Sequence, residues 1–142
     1  MSGKKQRIFL DTSVIIRFFT ADDAKKYADC KALFEQIEEG TFVPYVANTV
    51  IMESVFVLIK LYTFPKYRVV KAIRSLLSMR NMTVVEKTNS TKALRLFAGN
   101  NVSFGDCMIA SQVPVGVRLV TYDTDFSHLG IVSVTPGILH SS

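Results

Sequence analysis

RIFLDTSVIIRFF, residues 7–19, sets one acid between two apolar runs. Ile8, Phe9 and Leu10 lead into Asp11; Thr12 and Ser13 follow, then Val14, Ile15, Ile16, Phe18 and Phe19. The first run reads as a short buried strand over 7–10. The second reads as a helix starting near Thr12 or Ser13, either of which can cap it. Asp11 sits at the hinge, as a helix cap or as half of a reaction centre.

Outward from this stretch, strand and helix signals alternate. ADDAKKYADCKALFEQIEEG, residues 21–40, repeats Tyr27, Cys30, Phe34 and Ile37 at helical spacing, and Gly40 supplies a left-handed stop. TFVPYV (41–46) is a strand. Asn48 or Thr49 can cap a helix running to about Tyr62, and Pro65 breaks the chain after it. Residues 66–80 are an amphipathic helix with Val70, Ile73 and Leu77 on one side and Tyr67, Lys71, Arg74 and Ser78 on another. MTVVE (82–86) is a strand, Thr91 to Ala98 a short helix ending at Gly99-Asn100, and Ser103 caps a helix ending near Pro114. VRLVTYD (117–123) and IVSVT (131–135) are the last strands. Such alternation predicts an α/β domain with a mainly parallel central sheet flanked by helices. Ligands in such sheets bind beyond the carboxyl ends of the strands, at the switch point.

The chain of 142 residues is 49% hydrophobic and 20% charged, a folded composition with the size of one domain. We expect one domain over 1–142, with residues 1–6 as a flexible basic tail. No apolar signal stretch follows that tail, because Asp11 and Arg17 interrupt the hydrophobic run. The oiliest region, residues 42–62, contains Pro44, Asn48, Glu53 and Lys60, which argues against a membrane span. Cys30 and Cys107 are far apart and form no C-x-x-C pair, so they read as small core residues in a reducing, cytoplasmic setting. The net charge is +5, and between Lys60 and Arg95 there are nine Lys or Arg against one acid, Glu86. A basic middle of this kind suits a polyanionic partner as well as plain solubility.

Four acids from separated segments can converge. Asp11 follows the first strand; Asp123 follows the strand RLVTY, with Asp125 two residues on. Capping and turn chemistry are the plain structural readings of these three. Glu53 is harder to explain that way. Its helical neighbours Thr49, Val50, Phe56 and Val57 form an inward-facing stripe, and a buried carboxylate without a partner is costly. Asp106 fits a capping box with Ser103, yet shares a face with Ile109, Ala110 and Val113. Close like charges repel, and a divalent cation removes that penalty. An all-oxygen set without His or Cys suits magnesium or manganese, ions that activate water and stabilise charge on phosphoryl oxygens.

FLDTSVII (9–16), ANTVIMESVFVL (47–58), VSFGDCMIASQ (102–112) and LVTYDTDFSHLG (119–130) together resemble the motifs of PIN-domain nucleases, and above all the VapC-type ribonuclease toxins of toxin–antitoxin pairs. The likeness runs from Ile8 to about Thr135. It implies a three-layer PIN-like fold. It also implies a Mg2+- or Mn2+-dependent endoribonuclease whose metal-binding and catalytic acids fall on Asp11, Glu53, Asp106 and Asp123. Asp125 matches the further acid of the T-x-D-x-D-F segment. Thr12, Ser13 and Thr121 match polar positions that orient acids or water. The resemblance further implies RNA cleavage leaving a 5′-phosphate, a cognate antitoxin and a homodimer, with the apolar stretch Val55 to Ile59 as core or partly as dimer interface. Val113-Pro114 departs from the family's small-residue helix end. Tyr67, Lys71 and Arg74 are the candidates for contacts to RNA, against a solvated helix face.

Other phosphotransfer patterns fit less well. A haloacid-dehalogenase-like phosphatase needs a second Asp where Ser13 stands, and a receiver domain needs adjacent acids after its first strand. A PIN-fold RNA-processing nuclease outside toxin–antitoxin systems, or a non-catalytic RNA-binding domain, are the remaining alternatives.

Overall fold

The computed structural model describes residues 5–140, the side chain of His140 excepted. In chain order the elements are β1 (Gln6–Leu10), α1 (Thr12–Thr20), α2 (Ala24–Glu38), β2 (Phe42–Ala47), α3 (Asn48–Lys60), α4 (Lys66–Leu77), β3 (Thr83–Val85), α5 (Ser90–Gly99), α6 (Phe104–Gln112) and β4 (Arg118–Val120). A 3-10 turn (Thr124–Leu129), β5 (Ser133–Val134) and α7 (Pro136–His140) complete the chain. The strands form one sheet in the order β3-β2-β1-β4-β5, and every pair is parallel.

β1 is central because its residues tolerate no water on either face. Ile8, Phe9 and Leu10 are fully buried although successive side chains point to opposite sides of a sheet. That requires cover on both faces, hence helix, sheet and helix in three layers. Phe9 sits opposite Tyr45 of β2 and Leu119 of β4. Pro44 is tolerated inside β2 because β3 pairs only from Tyr45 onward, so the missing N–H leaves no gap in that ladder. The main core joins β1, β2 and β4 to Val14, Ile15, Leu33, Ile37, Ile109 and Phe126. Cys30 belongs to that cluster and Cys107 to another, both as buried free thiols. From β1 the chain winds to β2 and β3 on one side, then crosses to β4 and β5 on the other. The carboxyl ends of β1 and β4 therefore flank the switch point.

Several expected details change. Gln6, expected in a flexible tail over 1–6, belongs to β1, and residues 1–4 of that expectation lie outside the described residues. α1 is capped by Asp11 itself and not by Thr12 or Ser13. α2 starts at Ala24, because the Asp23 carboxylate accepts from the Lys26 N–H and fixes the first turn there. Neither Asn48 nor Thr49 caps α3: the helix follows Ala47 with no side-chain cap, and both residues instead bond to the buried Gln112. On α4 the inward face is Val69, Ala72 and Leu76, while Val70 and Leu77 are exposed. The helix meets Ile16 and Leu58 through Val69 and Ala72, with Ile73 packed partly against the same cluster. α6 ends at Gln112, ahead of Pro114. The 3-10 turn and α7 were not expected; both are too short to show a period. Among the described residues no helix is long and apolar enough to cross a membrane.

Candidate functional site

A cleft of about 310 Å³ opens at the switch point. Asp11, Glu53, Asp106 and Asp123 all line it, so the four expected acids, delivered by β1, α3, α6 and the segment after β4, do share one site. Thr12, Ser13, Arg17, Tyr62 and Tyr122 line it as well.

Asp11 is 4% exposed and combines both roles first considered for it. As the α1 cap it accepts from the Ser13 N–H at 3.4 Å. The same Oδ2 accepts the Ser13 hydroxyl at 2.9 Å and the Thr121 hydroxyl at 2.6 Å. Burial pushes the Asp11 carboxyl up from its usual value, and the hydroxyls of Thr121 and Ser13 pull it partly back. Thr121 Oγ1 also accepts from the Asp123 N–H at 2.9 Å, and Ser13 Oγ accepts from the Tyr122 N–H at 3.0 Å. Two hydroxyls thus tie the end of β1 to the segment after β4. Thr12 acts on Asp11 through its backbone N–H, while its buried Oγ1 makes no hydrogen bond among the described residues.

Asp106 lies in the first turn of α6, capped by Ser103, whose Oγ accepts the Asp106 N–H at 3.2 Å. Its carboxyl is pushed up to about 6, by burial first and then by the charge of Asp123, with Asp11 and Glu53 adding to it. Glu53 is half-buried and faces the cleft rather than the core. The inward stripe assigned to it fails at Phe56, which is 59% exposed, because α3 buries Val50, Ser54 and Leu58 instead. Ile59 is exposed too, so Val55 to Ile59 is not all core.

Ligand oxygens of Asp106, Asp123 and Asp125 lie within 4.8 Å of one another. That trio brings in Asp125 at the exposed rim, while Asp11 and Glu53 line the same cleft and add their charge at Asp106. Neither ion pair found among the described residues, Arg17–Asp22 and Lys25–Asp29, involves a cleft acid. The donor set is all carboxylate, without an ion-pair partner among the described residues, and fits a hard divalent ion.

A family model described as PIN domain matches residues 8–132. The chain belongs to the PIN domain family. Its sequence is 23% identical over 129 residues to a VapC ribonuclease of Aquifex aeolicus (strain VF5), covering 89% of this chain and 95% of that protein. In structure this PIN domain is similar to VapC20 of Mycobacterium tuberculosis, a sarcin-ricin loop cleaving toxin. That match has a TM-score of 0.70 and 24% identity, over 91% of this chain and 99% of the other. It is also similar to a chain of VapBC2 from Rickettsia felis bound to a DNA fragment from their promoter. There the TM-score is 0.61 and the identity 13%, over 92% and 98% of the two chains. At such identities the structures establish the shared PIN fold.

Tyr67, Lys71 and Arg74 of this PIN domain stay together on the exposed face of α4, lining a groove separate from the acidic cleft. Arg17, Tyr62 and Tyr122 were missed as cleft residues. Arg17 lies one helical turn after Ser13, a spacing that could have placed it. Tyr62 and Tyr122 sit in loops, where no period announces a facing side.

Proposed function

We propose that this PIN domain is a divalent-metal-dependent endoribonuclease of the VapC kind, the toxin of a toxin–antitoxin pair. One observation carries the reading: four carboxylates from four segments line one cleft, and among the described residues no protein cation pairs with them. The family match and the Aquifex relative supply the chemistry. Asp11, Glu53, Asp106 and Asp123 would hold the ion, with Asp125 joining at the rim; magnesium or manganese is the metal proposed. When bound, such an ion polarises a phosphoryl oxygen and lowers the pKa of a water.

The chain's own residues do the rest. Ser13 and Thr121 fix Asp11 through its Oδ2, and Thr121 fixes the backbone of Asp123. Preorganised carboxylates need no rearrangement as charge develops on the scissile phosphate. One of these acids would also accept a proton from the attacking water. The exposed Tyr67, Lys71 and Arg74 would meet the RNA backbone and a base. A cognate antitoxin, a homodimer, a cytoplasmic setting and one domain over 1–142 complete the proposal.

Purified protein incubated with total RNA tests it. Cleavage is expected with magnesium or manganese, none with chelator, and none from Asp11→Asn purified in parallel. Cleavage undiminished in Asp11→Asn, or no cleavage with either metal, would sink the reading.

A further inference from the structure

Among the described residues lining the acidic cleft, Arg17 is the single Lys or Arg. Coulomb attraction would draw a guanidinium toward four carboxylates. Arg17 pairs with none of them. Its Nη1 donates instead to Asp22, at 3.0 Å to Oδ1 and 2.9 Å to Oδ2. Asp22 does not line the cleft.

Asp22 is in turn heavily held. The Tyr62 hydroxyl donates to Oδ2 at 2.7 Å, and the Thr20 hydroxyl, whose one proton is shared with the Ile16 carbonyl at 2.7 Å, reaches Oδ1 at 3.0 Å. Tyr62 holds the Asp22 carboxyl below its usual value, ahead of Arg17 itself, so the acid stays charged. An exposed Arg–Asp pair contributes little to stability on its own. Two further hydroxyls aimed at the acid have a different effect: they fix the direction of the guanidinium. Arg17 is 32% exposed along its side chain, and all of its described hydrogen bonds leave through Nη1. Nη2 and Nε make none among the described residues. A guanidinium edge with free N–H groups matches the oxygens of a phosphate. Ile16, Val57 and Leu61 line the cleft beside it and offer an apolar wall to a sugar or base.

We infer that Arg17 is a substrate-binding residue whose Nη2–Nε edge grips an RNA phosphate flanking the scissile one, and that Asp22, Thr20 and Tyr62 are positioning residues holding it out of the carboxylate cluster. This rests on the endoribonuclease reading.

The test uses an RNA oligonucleotide carrying a site that the full-length protein cleaves in total RNA, with saturating magnesium or manganese. Arg17→Ala is expected to raise KM at least tenfold with kcat nearly unchanged. It should also lower the salt dependence of RNA binding by about one phosphate. Calorimetric affinity for the divalent ion alone should stay within about twofold, as for a residue that does not hold metal. Arg17→Lys keeps the charge without the fork and should fall between. Tyr62→Phe keeps the ring and removes the hydroxyl; it should raise KM about threefold, and it carries the test if Arg17→Ala does not fold. Neutral methylphosphonate linkages placed one at a time beside the cleavage site should include one that erases the difference between wild type and Arg17→Ala. If the wild type cleaves but Arg17→Ala and Tyr62→Phe keep its KM and salt dependence, the inference is overturned and the nuclease reading stands. A loss of metal affinity in Arg17→Ala, or a loss confined to kcat, overturns it as well. No cleavage by the wild type with either metal removes the nuclease reading first.

Discussion

At Asp106 the folded chain binds a proton more tightly than the unfolded one, since its carboxyl moves from 3.8 to about 6. The sign follows from linkage: the stability this contributes is complete below about pH 4 and is lost as pH rises through about 6. Asp11 shifts in the same direction, also through burial. In chelator, the melting temperature should therefore fall between about pH 4 and 7. Asp106→Asn should flatten that fall. At pH 7.5 it should melt about 3 °C above wild type, the shift that ~1 kcal/mol produces in a chain of this size. Scanning fluorimetry across pH measures both. A melting temperature below wild type at pH 7.5 would show that the carboxylate is structural rather than strained. The role of Asp11 was half legible in the sequence: a hinge acid invites the choice between cap and reaction centre. Its hydroxyl partner Thr121 is 110 positions away, so local pattern could not show that one carboxylate serves as both.

At the scale of elements, α7 illustrates what periodicity misses. It has five residues and docks on α2, with Gly137 close against the Asp29 side chain. A Cβ on Gly137 would stand 2.7 Å from Asp29 Oδ2, an oxygen that Lys25 also holds at 2.9 Å. Gly137→Ala should cost about 1–3 kcal/mol, the range for forced overpacking. It should raise amide exchange in α7 well above that in the sheet, readable by hydrogen-exchange mass spectrometry. Wild-type exchange in α7 would mean that Asp29 simply swings aside. α4 makes the converse point. Its helical period is plain in the sequence, yet the buried side is Val69, Ala72 and Leu76 rather than Val70 and Leu77. A helical period fixes that a face exists; the neighbour's shape, here Ile16 and Leu58, selects which one.

Across the whole molecule, whose net charge is +5, charge separates into an acidic cleft and a basic middle. Removing Lys71 and Arg74 together should weaken RNA binding about equally for all sequences and lower the salt slope by about two. Filter binding across salt concentrations, done in chelator to prevent cleavage, reports it. An unchanged slope would return that face of α4 to plain solvation. Metal binding should act in the opposite region: a divalent ion at 100 times its Kd should add about 2.7 kcal/mol of stability.

The sequence by itself determined the α/β alternation, the buried central strand and the identity of the four cleft acids. These depend on local apolar pattern and on acids placed directly after strands or early in helices. Tertiary structure decided what those acids meet. Strand order β3-β2-β1-β4-β5 brings the ends of β1 and β4 side by side, and so gives Asp11 the hydroxyl of Thr121. It draws Asp125 into the trio with Asp106 and Asp123, and turns Glu53 toward the cleft instead of the core. It also sets Arg17 against Asp22 and away from the acids. The physical reason is range: turns and helices form between residues a few positions apart, whereas an ion site is assembled by packing between segments that no local rule connects.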